Sequence, residues 1–586
     1  MKTLSVLSAV ALTWAALAQQ PPVQAPAPGA AGLPGSSEQA KRLCAVEGHT
    51  VNEKTGEPLR RAKLMLLPAG GGSVMAGPRA AAAPYAATTD AEGKFRFENI
   101  EPGTYRLMAE RQGFVRRAYG SRGNSMMGTS ISLAPGQELK EIELKLTPQA
   151  VITGLVLDDV GEPLSQVAVQ VLQRRFFRGK RQLMPRGGGQ SDDTGEFRIS
   201  GLAPGRYYLS ATYRRMMFGP PTRNTSDEPE AEYVTTYYPG STEPTAASAI
   251  DVQAGQELSG IDIRMQKSRV YRIRGKVTGG PGQSLRNLRL MVFPREREPG
   301  FFGMGGSAGL IKEDGSFEMG GVQPGSYYVA AMRTEGRPTI VGKAPVDVGQ
   351  EDVEGVTLAI GRGVTLNGTV RIDAPKDELE AARAQGTRLA VDGIRIQLSP
   401  MEGMGFNAPN AATKEDGSFI VEGVGLDKYR IHAMNLPEGA YLKSIRSGDQ
   451  EVLDSGIDLS AGGDRQVEIT LGLGGGQIDG IVQDRQSQLA VGSMVTLIPD
   501  PPKTDRYDLN RMTTTDQNGR FALKGVPPGE YKMFAWEEVD PGAYSDPEFL
   551  KPHDSKAVKI SVKEKSAQQV ALVEIPVEET EPEDGR

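Results

Sequence analysis

The amino-acid sequence predicts an all-β chain, a string of about five antiparallel β-sandwiches, and three observations carry that expectation. A phenylalanine is followed ten positions later by a tyrosine five times, at Phe95/Tyr105, Phe197/Tyr207, Phe317/Tyr327, Phe419/Tyr429 and Phe521/Tyr531. Apolar and polar residues alternate around those positions, which is the period of a half-buried strand. Glycine and proline together make 112 of 586 residues (72 and 40), about 19% against roughly 12% in average usage, and so demand many turns.

Taken in order, residues 1–18 read as a secretory signal peptide: Met1-Lys2 is a short basic start, Leu4 to Ala16 is apolar, and Ala16-Leu17-Ala18 is a small-x-small cleavage site. Residues 19–41, rich in Pro, Ala, Gly and Gln, read as a flexible linker. Sandwiches are expected over 42–148, 149–267, 268–362, 363–474 and 475–576, followed by an acidic tail at 577–586. No stretch beyond the leader reaches the roughly 18 apolar residues of a membrane span. The expected location is therefore periplasm, outer cell surface or exterior.

Within each repeat the Phe comes two residues after a glycine (Gly93, Gly195, Gly315, Gly417, Gly519), and the Tyr four residues before an alanine (Ala109, Ala211, Ala331, Ala433, Ala535). Successive phenylalanines lie 102, 120, 102 and 102 residues apart, and five matches at one fixed internal spacing mark a true repeat. Between Phe and Tyr an Asn or Gly, an aliphatic residue and usually Pro-Gly suit a chain reversal. Upstream, each repeat opens with a β-rich run containing a glycine (Gly48, Gly154, Gly275, Gly368, Gly480), and a second strand follows. About seven short strands per roughly 100 residues fit two packed sheets best.

Asp90-Ala-Glu-Gly93-Lys-Phe95…Pro102-Gly103-Thr-Tyr105 and its counterparts from Asp192 and Asp516 resemble tandem carboxypeptidase regulatory-like domains. The resemblance implies an Ig- or transthyretin-like sandwich of the carbohydrate-binding-like type, in an arrangement found in bacterial envelope proteins. Repeats three and four depart from it, with Lys312 and Lys414 at the Asp position, and Leu426-Asp427 replaces Pro-Gly in repeat four. The fold supports many roles, so function has to be argued from sites.

Catalytic machinery, metal ligands and cofactor motifs are not expected. The three histidines, His49, His432 and His553, are far apart in sequence, and the single cysteine, Cys44, rules out an intramolecular disulfide. Gly305-Gly306-Ser307-Ala308-Gly309 matches a nucleophile pattern but leads into a strand rather than a helix. Gly336 to Lys343 has the wrong spacing for a phosphate loop. The Asp-x-x-Gly turns read as aspartates bonding their own backbone rather than calcium. A formal charge of -6 with interspersed signs gives no reason to expect nucleic acid.

Two candidate sites remain. Sugar rings stack on flat aromatic faces, so Trp536, which lies on the alternate phase from Tyr531 and points away from that module's core, is a candidate platform with Tyr237 and Tyr238. Arg174, Arg175, Arg178 and Arg181, with Lys180 and Arg186, form a basic segment beside Phe176 and Phe177 that suits an anionic partner. The function expected is non-enzymatic binding of carbohydrate or a cell-surface polymer. The alternative is a structural spacer or assembly protein contacting other envelope proteins, and buried aromatics would favour it.

Overall fold

In the computed structural model, the repeat Phe and Tyr each sit on a strand and point into one of five separate apolar cores. The structure describes residues 43–577 except 69–84, 123–126, 178–179, 214–230, 280–284, 286–287, 296–309, 334–338, 385–388, 402–407, 438, 504–505, 507 and 541. The expected signal peptide, the linker, the acidic tail beyond Val577, Arg178 and the Gly305–Gly309 segment lie outside the described residues.

Each module opens with a strand: Cys44–Asn52, Ala150–Leu157, Tyr271–Gly279, Val364–Asp373 and Gly476–Gln483. It pairs antiparallel with the strand that bears the repeat Phe: Lys94–Ile100, Glu196–Leu202, Ser316–Val322, Ser418–Val424 and Arg520–Val526. The strands bearing the Tyr (Gly103–Glu110, Gly205–Tyr213, Gly325–Arg333, Lys428–Met434, Gly529–Trp536) form the other sheet with the second strands. The sandwich is antiparallel with one regular exception. The module's closing strand, for example Arg465–Leu473 in the fourth, runs parallel to the opening strand on its other side. Such a parallel neighbour needs a long connection, and here the intervening sheet supplies it.

This arrangement explains the opening glycines. In all five modules the glycine is the residue directly opposite the repeat Phe: Gly48↔Phe95, Gly154↔Phe197, Gly275↔Phe317, Gly368↔Phe419 and Gly480↔Phe521. A Cβ on any of them would lie 2.0–2.6 Å from a closing-strand carbonyl oxygen, that of Ile142, Ile261, Val356, Val467 or Val570. At Gly275, Gly368 and Gly480 it would also strike the Phe ring, at 2.8, 2.3 and 2.5 Å. The glycine lets the ring lie across the strand while the closing strand passes tightly beside it.

The reversal between the two repeat aromatics is held from above. The hydroxyls of Tyr105, Tyr207 and Tyr531 donate to the carbonyls of Glu101, Ala203 and Pro527, four residues upstream, at 2.7, 2.8 and 2.9 Å. The Asp-x-x-Gly turns are closed by the aspartate itself. Asp90 Oδ1 accepts from the amides of Glu92 and Lys94 at 3.1 and 2.7 Å, and Asp192 and Asp516 make the equivalent pairs. Where repeats three and four carry Lys, Asp314 and Asp416 take over two positions later, accepting from Ser316 and Ser418 at 2.9 Å each.

Candidate functional site: the faces that meet on the fifth module

The fifth module departs from the others after its Tyr strand. Ala543–Ser545, Pro547–Leu550 and Lys551–Lys556 form three short helical turns that fold back over the outer face of the sheet. Asp546 starts the middle turn, its side chain accepting from the Glu548 amide ahead of Pro547. Beneath these turns a second apolar cluster gathers Met494, Ile498, Phe534, Trp536, Val539, Leu550 and Ile575.

Trp536 is at its centre and is 0% exposed. Its indole stacks on Phe534 (centroids 5.2 Å, 20°), meets the His553 ring edge-on at 5.2 Å, and lies 5.7 Å from Phe549. The indole N–H donates to Thr496 Oγ1 at 2.9 Å, so its one polar atom is satisfied internally. Burial lowers the His553 pKa, which keeps a neutral ring against the aromatics.

The expectation of exposed aromatic platforms is corrected here. Trp536 does point away from the module's main core, as the strand phase requires, but the turns that follow cover it. Tyr237 is 5% exposed and packs with Leu172, Leu183 and Tyr208, while half-buried Tyr238 packs against the second module's core. Neither Trp536 nor Tyr237 leaves a ring face on which a sugar could stack. Cys44 is likewise buried, its thiol donating to the Ala134 carbonyl at 3.0 Å.

Part of the cover over Trp536 comes from another module. The second module's strands Val167–Phe177 and Lys180–Gln190 form a long hairpin, and Phe176 near its tip packs into the cluster, 5.7 Å from Phe549. Gly542, at φ 92°, lets the chain approach: a Cβ there would sit 2.8 Å from the Phe176 carbonyl oxygen. The basic residues of the hairpin arrive with it. Arg174 lies over the Tyr208 ring at 5.0 Å, and Arg181 and Arg186 pull on Asp540, whose carboxyl burial pushes up. Sequence reasoning flagged Phe176 as a contact residue but had no signal for Asp540 or Phe549 as its partners.

The first module reaches the fifth through polar groups. Gln517 imitates a strand neighbour, its Oε1 accepting from the Ser132 amide at 3.0 Å and its Nε2 donating to the Ser132 carbonyl at 2.7 Å. Thr514 Oγ1 donates to the Gly128 carbonyl at 2.8 Å, and Ser130 bridges to Asp516. Arg122 pairs with Glu574 at 3.3 Å and Glu537 at 3.5 Å. Gln517→Ala removes two hydrogen bonds worth about 1 kcal/mol each. The expected result is faster amide exchange in residues 127–133, with protection of the strand Arg520–Val526 unchanged. The fourth module adds Tyr441, whose hydroxyl donates to Glu564 at 2.5 Å, and Asp454, which pairs with Lys503 at 3.3 Å.

With this geometry established, residues 45–147 match the family model of the carboxypeptidase regulatory-like domain, so the first module is one. An alignment of 137 residues that covers 21% of the chain is 26% identical to serine-aspartate repeat-containing protein D of Staphylococcus aureus (strain Newman). The chain spans about a tenth of that relative's length, 10%. Among solved structures, the chain is similar to GBS52, the minor pilin of Streptococcus agalactiae, at 15% identity and TM-score 0.22, covering 39% of this chain and 96% of that one. It is also similar to BcpA, the major pilin subunit of Bacillus cereus, at 11% identity and TM-score 0.14, covering 74% and 99%.

Proposed function

We propose that the chain is an exported, non-catalytic structural protein of the cell envelope, whose five sandwiches act as one body rather than as independent ligand-binding beads. The observation that carries this reading is the fate of the aromatics. Trp536 and Phe176, the residues best suited to recognising something outside, are packed against each other's modules. The fifth module also touches the first and the fourth, so the two ends of the array are tied together. Several side chains of types that could do chemistry already have partners within the chain. Three turn aspartates accept from their own backbone amides, His553 packs among rings, and His49 lies 3.6 Å from Glu143. The expected sugar-binding role loses two of its three platforms, Trp536 and Tyr237.

Small-angle scattering of the full chain tests the reading. Five modules end to end, each with strands of about nine residues rising about 3.4 Å per residue, make a rod whose radius of gyration is roughly 45 Å. A fully compact chain of this length has about 25 Å. The value expected is much closer to the second. A rod-like profile, or saturable binding of a cell-wall polysaccharide abolished by Trp536→Phe, would overturn it.

A further inference from the structure

We infer that the second module's hairpin carries a binding site for a tetrahedral oxyanion, a phosphate or sulfate group, between Arg175 and Arg186. The hairpin register places Gln173 opposite Met184 and Leu172 opposite Pro185, but Val171 opposite Gly187, so Arg186 is forced out as a bulge. That bulge brings it beside Arg175. Arg175 Nε and Arg186 Nε both donate to the same atom, Gln173 Oε1, each at 3.1 Å. Two guanidinium groups therefore converge on a neutral amide oxygen where a carboxylate would ordinarily sit.

The missing countercharge is not supplied nearby. Among the described residues, none of Arg174, Arg175, Arg181 and Arg186 has a carboxylate oxygen within 4.0 Å. Asp540 is the acidic group acting on Arg186, and burial disfavours its own ionised form. An oxyanion bridging the outward edges of the two forks would satisfy both in the bidentate geometry for which a guanidinium is built. Within the basic segment visible in the sequence, the bulge selects Arg175 and Arg186 and makes Gln173 their organiser.

The test is isothermal titration of the full chain with inorganic phosphate, and separately with vesicles of phosphatidylglycerol in phosphatidylcholine. Saturable binding is expected with at least one of them, weakening as salt rises. Arg175→Gln/Arg186→Gln should reduce affinity at least tenfold. Gln173→Glu is close to isosteric and places a carboxylate between the two arginines, so it should also reduce binding at least tenfold while the chain melts no lower than the wild type. Binding of phosphate alone identifies a small free anion, whereas much tighter binding of the anionic vesicles identifies a lipid headgroup. Absence of binding to both probes, or binding that Gln173→Glu leaves intact, overturns the site.

Discussion

Gly368→Ala is expected to unfold the fourth module at a temperature about 4–24 °C below that of the wild type. One methyl group would have to occupy space 2.3 Å from Phe419 Cζ and 2.6 Å from the Val467 carbonyl oxygen. Overpacking of this kind costs about 1–3 kcal/mol, and each kcal/mol shifts the melting point of a domain this size by about 4–8 °C. The two clashes can be separated. Phe419→Leu in the same chain frees the ring side only, so Gly368→Ala/Phe419→Leu should recover part of the loss, and the Val467 backbone sets the remainder. Calorimetry reads both variants, and a melting profile unchanged by Gly368→Ala would show that the glycine is not required by its neighbours.

Trp536→Ala should produce the second large effect, in two modules at once. Emptying a fully buried tryptophan costs about 3–5 kcal/mol, and the Thr496 hydroxyl loses the indole donor. The fifth module should melt early. Because Phe176 shares the cluster, amide exchange should also rise in the hairpin strand Val167–Phe177. Phe176→Ala separates docking from core stability. It should raise exchange in residues 542–556 while leaving the strand Arg520–Val526 protected. If Trp536→Ala leaves the second module's exchange untouched, the two modules are not coupled through this cluster.

The sandwich was legible because a repeat multiplies a weak signal. One Phe with a Tyr ten residues on means little, whereas five at fixed spacing define strand, turn and strand. The opening glycines were visible as a pattern, but their reason was not, since the carbonyl that excludes a side chain at Gly48 belongs to Ile142, far along the chain. Trp536 shows the same limit. Alternation from Tyr531 correctly directed it away from the main core, but whether that face meets water depends on the turns after Gly542 and on Phe176 of another module. The polar contact of Gln517 with Ser132 left no trace at all, because a lone glutamine in a turn has no periodicity to betray a partner.

The parallel pairing of opening and closing strands has a mechanical consequence. In the fourth module Leu366↔Arg465 through Asp373↔Gly472 form eight registered pairs between the first strand to enter and the last to leave. Because the two strands run in the same direction, tension applied at the module's ends pulls them past each other lengthwise. The ladder is loaded in shear, and its hydrogen bonds must rupture together rather than peel one by one from an end. All five modules have this parallel geometry, so a stretched chain resists as a series of shear clamps, each set by the strands adjoining its own ends.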